Sequence, residues 1–170
     1  IEISEKPIAI THANPSFWHA AKRNKSNELL KVLSDSGGIL GFSLYPHHLK
    51  NNTNCSLDSF CEMIAKTSDI MNIKNIGIGS DLCLNQPDEI VEWMRNGTWS
   101  KNKNYGEGSK NKPGFPKQPG WFEDARGFFN IEKGLRKVGF SEEETNGILG
   151  NNWYNFCLLY TSPSPRDRNV

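Results

Sequence analysis

The chain has 170 residues, 36% of them hydrophobic, which suits one domain of ordinary size with a core of its own. Its 20 Lys and Arg against 19 Asp and Glu leave a formal charge of +1 with no dense basic cluster, which argues against nucleic acid as a partner. No apolar run approaches the roughly twenty residues a membrane-spanning helix needs, and Cys55, Cys61, Cys83 and Cys157 form no C-x-x-C pair, so they read as reduced and mostly packed.

"PIAITH", residues 7–12, is a buried-strand run that begins at a proline and ends in polar residues. "SNELLKVLSDSGG" then carries Leu29, Leu30 and Leu33 at helical spacing, with Ser26 as N-cap and Gly37 as stop. A second strand, "ILGFSL", follows at 39–44. After a polar loop, "SLDSFCEMIAKTSDIMNI" sets Leu57, Phe60, Cys61 and Ile64 on one helix face behind the N-cap Ser56, and a third strand, "NIGIGSD", ends at Asp81. "EIVEWM" at 89–94 reads as a short helix inside a long Gly-, Pro- and Lys-rich connection, about 84–122, of the kind that covers a site. "FFNIEKGLRKVG" reads as a helix. "SEEETNGILGNNWYNF" opens with Ser141 and Glu144 in capping-box spacing ahead of Ile148 and Leu149.

Strand, helix, strand, helix, strand with short connections implies parallel strands joined by crossover helices, and the continuous apolar strands imply a sheet covered on both faces. The class is α/β. In such folds chemistry gathers at the carboxyl ends of the strands. All three strands here end in ionisable or aromatic polar residues: His12, then Tyr45 with His47 and His48, then Asp81. No glycine-rich phosphate loop follows "GIGSD", so a dinucleotide site is not indicated.

Each candidate has a plain structural alternative. His12 can be a hydrogen-bonded loop histidine, or a neutral imidazole ligand to a divalent metal. Asp81 can form a turn or cap a helix, or serve as ligand or proton acceptor. Arg23 can pair with a surface carboxylate, or take a substrate carboxylate in its guanidinium fork. Phe17, Trp18 and Tyr45 are packing groups or a substrate wall. Adjacent His47 and His48 point different ways in an extended segment, so at most one of them lines the pocket. The C-x5-C spacing of Cys55 and Cys61 lacks the second pair a structural zinc site needs.

"ITH", the Arg-Asn pair Arg23–Asn24, "GGILGFSL", "FCEMIAKTSDIMNIKNIGIGSD" and "GLRKVGFSEEETNGILGNNWYNF", in that order, resemble the carboxy-terminal half of the membrane (renal) dipeptidase family of zinc peptidases. The resemblance covers residues 5–157 apart from the long loop, and "RN" and "GIGSD" are its sharpest parts. It implies the carboxy-terminal part of a (β/α)8 TIM barrel with two zinc ions, acting on a dipeptide or small amide. By the same resemblance His12 is a zinc ligand, Arg23 holds the dipeptide carboxylate, and Asp81 handles protons as the tetrahedral intermediate collapses. The family's other site residues, a His-x-Asp motif, a bridging glutamate and two more histidines, come from earlier strands and have no counterpart in this chain. Leu82 and Cys83 follow Asp81 where family members often carry a second aspartate and a glycine, and Ala13–Asn14 follow His12 in place of two serines.

These readings give one expected unit, residues 1–157, as a carboxy-terminal barrel fragment that is inactive alone. Residues 158–170, "LLYTSPSPRDRNV", change register and are expected to be a non-native tail. An amidohydrolase-type barrel acting on another amide, or a non-catalytic relative, are the competing expectations. Localisation and oligomeric state are left open by the sequence.

Overall fold

The computed structural model describes residues 1, 3–87, 89, 90, 93 and 115–161. Three parallel strands, β1 (Ala9–Ala13), β2 (Ile39–Phe42) and β3 (Ile76–Ile78), form one sheet in the order β1-β2-β3. Helices α1 (Asn27–Asp35) and α2 (Leu57–Ser68) make the two crossovers. The expected α/β architecture is therefore present, with β2 as the central, fully buried strand.

Local chemistry sets the helix limits. The side chain of Ser26 accepts from the Leu29 N–H and that of Ser56 from the Ser59 N–H, each satisfying a first-turn donor that has no partner inside the helix. At the end of α1, Gly37 has φ +75, the Gly38 N–H reaches the Leu33 carbonyl at 2.9 Å, and the Gly37 N–H reaches Ser34 at 2.9 Å. This is a Schellman closure, which requires the left-handed position that glycine takes without steric cost. Leu30 and Leu33 are fully buried whereas Leu29, on the same expected stripe, is 37% exposed, so the apolar face is narrower than the leucine spacing suggests.

Among the described residues after 115, three α-helical segments follow: α3 (Phe128–Lys137), α4 (Glu142–Asn146) and α5 (Asn152–Leu158). Both halves of the Ser141–Glu144 capping box form. Between α4 and α5 the chain makes a π-helical stretch, Gly147–Asn151, which the sequence reading did not anticipate. Gly134 lets α3 approach α2 closely: a Cβ there would lie 2.5 Å from the Cys61 sulfur.

α5 closes the sheet. The amide of Asn152 donates to the Ile73 and Ile76 carbonyls at 2.8 Å each, and the Trp153 indole N–H donates to the Ile78 carbonyl at 2.9 Å. These bonds take up the Ile76 and Ile78 carbonyls of β3 and the Ile73 carbonyl of the turn that precedes it. Phe42, Leu40, Phe60, Ile64, Phe122, Ile131 and Leu135 meet in the core. At about 1.5–3 kcal/mol per buried side chain, these contacts outweigh the surface pair Lys137–Asp58 at 2.7 Å, whose side chains are both more than half exposed.

The strand limits differ from those the sequence predicts: β1 starts at Ala9 rather than Pro7 and runs on to Ala13, and β3 starts at Ile76. β2 stops at Phe42, two residues short of Leu44, and β3 at Ile78, three residues short of Asp81, where the backbone is left-handed at φ +58. Of the four cysteines, all free, only Cys55 and Cys61 are packed; Cys83 and Cys157 are exposed. The expected helix at 89–94 falls partly, most of the 84–122 connection falls, and residues 162–170 of the expected tail fall outside the described residues.

Candidate active site

The parallel register brings the three strand ends to one edge. β1 and β2 pair Ala9 with Ile39 and Ile10 with Leu40, but then Ala13 with Phe42, so β1 carries one extra residue in a bulge. His12 lies inside that bulge at φ +55. Beyond β2, the Leu44 N–H bonds the Ser80 carbonyl at 3.1 Å, which sets Tyr45 beside Asp81. His12 and Asp81 thus share a left-handed backbone conformation that a non-glycine residue adopts only at a cost of about 1–3 kcal/mol, a strain that gathers at functional positions.

Among the described residues, the buried Nδ1 of His12 has no hydrogen-bond partner. Arg23 is exposed, and its Nε–H donates to the His12 carbonyl at 3.2 Å. No other hydrogen bond or ion pair of Arg23 occurs among the described residues, so the surface-pair alternative for this residue is not what the fold builds. The two terminal nitrogens of the guanidinium have no hydrogen-bond partner among the described residues. Asp81 caps no helix, and its carboxylate is likewise uncommitted among the described residues.

His48 reports how these groups are arranged. It is 8% exposed, and its Nδ1 lies 2.8 Å from the Ser43 hydroxyl. Burial pushes its imidazole down from 6.5 to about 4; the Asp81 charge opposes this, and the charges of Arg23, His12 and His47 reinforce it. Its ring thus senses charges carried by the ends of β1 and β3, by the loop after β1 and by its neighbour His47. The Tyr45 ring lies 4.9 Å from that of His48, tilted by 59°, and meets the His47 ring edge-on at 5.5 Å. Of the two adjacent histidines, His48 is the buried one.

The sequence reading gave no role to the amides beneath the site. Asn14 is fully buried: its Oδ1 accepts from the Ser43 N–H at 2.9 Å, and its Nδ2 donates to the Ser43 and His48 carbonyls at 3.1 Å. Asn24 accepts from the Asn14 N–H at 2.9 Å and donates to the His19 and His48 carbonyls at 2.8 and 3.1 Å. The signal was the position of Asn24 directly after Arg23.

A bare, buried imidazole nitrogen is what a divalent metal takes as a ligand. Among the described residues, however, no group of three or more His, Cys, Asp or Glu side chains could hold a metal ion. Zinc takes three or four protein ligands. These residues do not assemble a metal centre by themselves, and His12 fits only as one contribution to such a centre.

The family model for membrane dipeptidase, peptidase family M19, matches residues 1–92, more than half of the chain. The chain belongs to this family. Dipeptidase aclJ of Aspergillus oryzae is 27% identical over 85 residues, which cover 46% of this chain and 19% of that protein. An amidohydrolase from Pseudomonas aeruginosa superposes with a TM-score of 0.75 at 28% identity, over 90% of this chain and 45% of that one. A metallopeptidase from Rhodobacter sphaeroides, solved with a phosphinate mimic of L-Ala-D-Ala, superposes at 0.67 with 17% identity, over 91% of this chain and 36% of that one. The M19 chain thus spans less than half the length of each of these relatives. The family is one of metallopeptidases that hydrolyse dipeptides, which agrees with the expectation drawn from "RN" and "GIGSD".

Proposed function

We propose that residues 1–157 form the carboxy-terminal part of the (β/α)8 barrel of a zinc-dependent dipeptidase, and that 158–170 are a non-native tail. The observation that supports this most directly is the bare, buried Nδ1 of His12 at a strained bulge, with Arg23 on its carbonyl and the Asp81 charge at the same sheet edge. In this reading His12 is one metal ligand. The remaining ligands come from strands that this chain does not contain.

The chemistry a metal pair supplies when bound is polarisation of the amide carbonyl and activation of water. The part played by this chain is positional and acid–base. The two terminal nitrogens of Arg23 form a planar fork that takes the carboxylate of a dipeptide bidentately, fixing how far the scissile bond sits from His12. The Asp81 carboxylate, which has no hydrogen-bond partner among the described residues, would take up the proton that the attacking water gives and pass it to the leaving amine.

A second reading is supported by the 28% identical amidohydrolase: the same strand ends acting on a different amide. Blocking the free carboxylate as a carboxamide separates the two. Loss of turnover by the complete enzyme favours the dipeptidase, and indifference favours the second reading. The isolated 170 residues are expected to hold no stoichiometric zinc and to hydrolyse no dipeptide. Two tightly bound zinc ions per isolated chain, measured by metal analysis after dialysis, would overturn the fragment reading.

A further inference from the structure

We infer that Asn24, braced by Asn14, is a positioning residue that sets the reach and aim of Arg23 toward the substrate carboxylate; this rests on the carboxylate-binding reading of Arg23. Asn24 is 9% exposed, and both polar atoms of its side-chain amide are used, by the Asn14 N–H and by the His19 and His48 carbonyls. Asn14 is spent as completely: its amide pairs with both the N–H and the carbonyl of Ser43, as a neighbouring peptide group would. The two amides converge on one acceptor, the His48 carbonyl. They therefore lock three segments together: the end of β1, the loop carrying Arg23, and the turn after β2.

The loop itself is closed at its base. The Lys25 N–H bonds the Asn14 carbonyl and the Ser16 N–H bonds the Lys25 carbonyl, both at 2.8 Å, so Pro15 and Lys25 form a parallel bridge. Arg23 stands two residues before that bridge and directly before Asn24. The residue next to it in the chain is anchored by the Asn24 amide, and its own Nε–H is held by the carbonyl of His12. A long side chain held at both points loses most of its rotamer freedom before any ligand arrives, which is the way binding is strengthened by preorganisation. Removing the Asn24 amide leaves Arg23 its charge and releases its aim.

The test uses the complete enzyme and the ratio of kcat/KM for a dipeptide to that for its C-terminal carboxamide, both measured on one preparation. The folded fraction cancels in this ratio, so a merely structural loss does not move it. Asn24→Ala is expected to lower the ratio at least tenfold, mainly through KM of the free acid, and to have no further effect on it in an Arg23→Ala background. Asn24→Ser, which keeps a small acceptor for the Asn14 N–H, serves if the alanine variant does not accumulate, and should lower the ratio less. An unchanged ratio in the Asn24 variants, with Arg23→Ala lowering it, overturns the inference alone. An unchanged ratio in Arg23→Ala overturns the carboxylate reading and the inference with it.

Discussion

The Nε–H of Arg23 donates to the carbonyl of His12 at 3.2 Å, so a side chain eleven residues downstream steadies the bulge that holds the imidazole. The contact links the two ends of the proposed site through one guanidinium. It also spends the nitrogen that a side-on carboxylate pair would use, so the carboxylate contact proposed above falls to the two terminal nitrogens.

Arg23→Lys keeps the charge but has neither the Nε–H nor the fork. A hydrogen bond to a charged group contributes about 1.5–3 kcal/mol, so kcat/KM for dipeptides is expected to fall roughly ten- to a hundredfold in the complete enzyme. The loss should sit mainly in KM, because the carboxylate is held equally in ground and transition states. Steady-state kinetics with wild-type KM for the lysine variant would contradict the assignment.

His48 gives the fold a pH dependence of definite sign. Its folded value of about 4 lies below the ordinary 6.5, so between these values the unfolded chain binds more protons than the folded one. Stability is therefore present in full above pH 6.5 and is lost as pH falls toward 4, by an amount of order 3 kcal/mol at 1.36 kcal/mol per pKa unit. Asp81 pulls the other way, and Arg23, His12 and His47 reinforce the depression. Urea midpoints between pH 7 and 4 should fall more steeply for the wild-type chain than for His48→Gln. Equal slopes in the two proteins would show that His48 does not carry the effect.

Much of this fold was legible in local chemistry. Ser26, Ser56, Ser141 with Glu144, and Gly37 act through bonds to residues at most a few positions away, so spacing alone locates them. The bulge at His12 and the early end of β3 were not legible, because both depend on register against β2, a relation between segments about thirty residues apart. The same holds for Asn14 and Asn24, whose partners Ser43 and His48 lie across that gap. His12, Arg23 and Asp81 could be named from strand ends and from family likeness. What supports them from below had to be seen in three dimensions.

The thiols should divide into two classes. Burial pushes Cys55 up to about 11 and Cys61 up to about 12, so at neutral pH neither is a thiolate or within reach of reagent. Cys83 and Cys157 are exposed. An aromatic disulfide reagent at pH 8 is expected to titrate two thiols in the native chain and four in urea. Rapid reaction of all four without denaturant would show that the contact of α2 with α3 around Cys61 is not closed in solution.

The packing of Trp153 on the sheet makes the last prediction. A Cβ on Gly77 would lie 2.5 Å from the indole Nε1 and 2.8 Å from its Cδ1, and one on Gly41 would lie 2.8 Å from the indole Cζ2. Neither glycine has the positive φ that would forbid a side chain, so the obstacle is space alone. Gly77→Ala must displace the ring that donates to the Ile78 carbonyl, and overpacking of this kind costs about 1–3 kcal/mol. At roughly 2–4 °C per kcal/mol for a chain of this size, the melting temperature should drop by several degrees. Trp153→Phe should also destabilise, since it leaves that carbonyl without its donor, yet it makes room at Gly77. The double variant should therefore be more stable than the sum of the two single losses, as neighbours in contact are non-additive. Strict additivity in thermal or urea unfolding would mean that Trp153 does not rest on Gly77 in the folded chain.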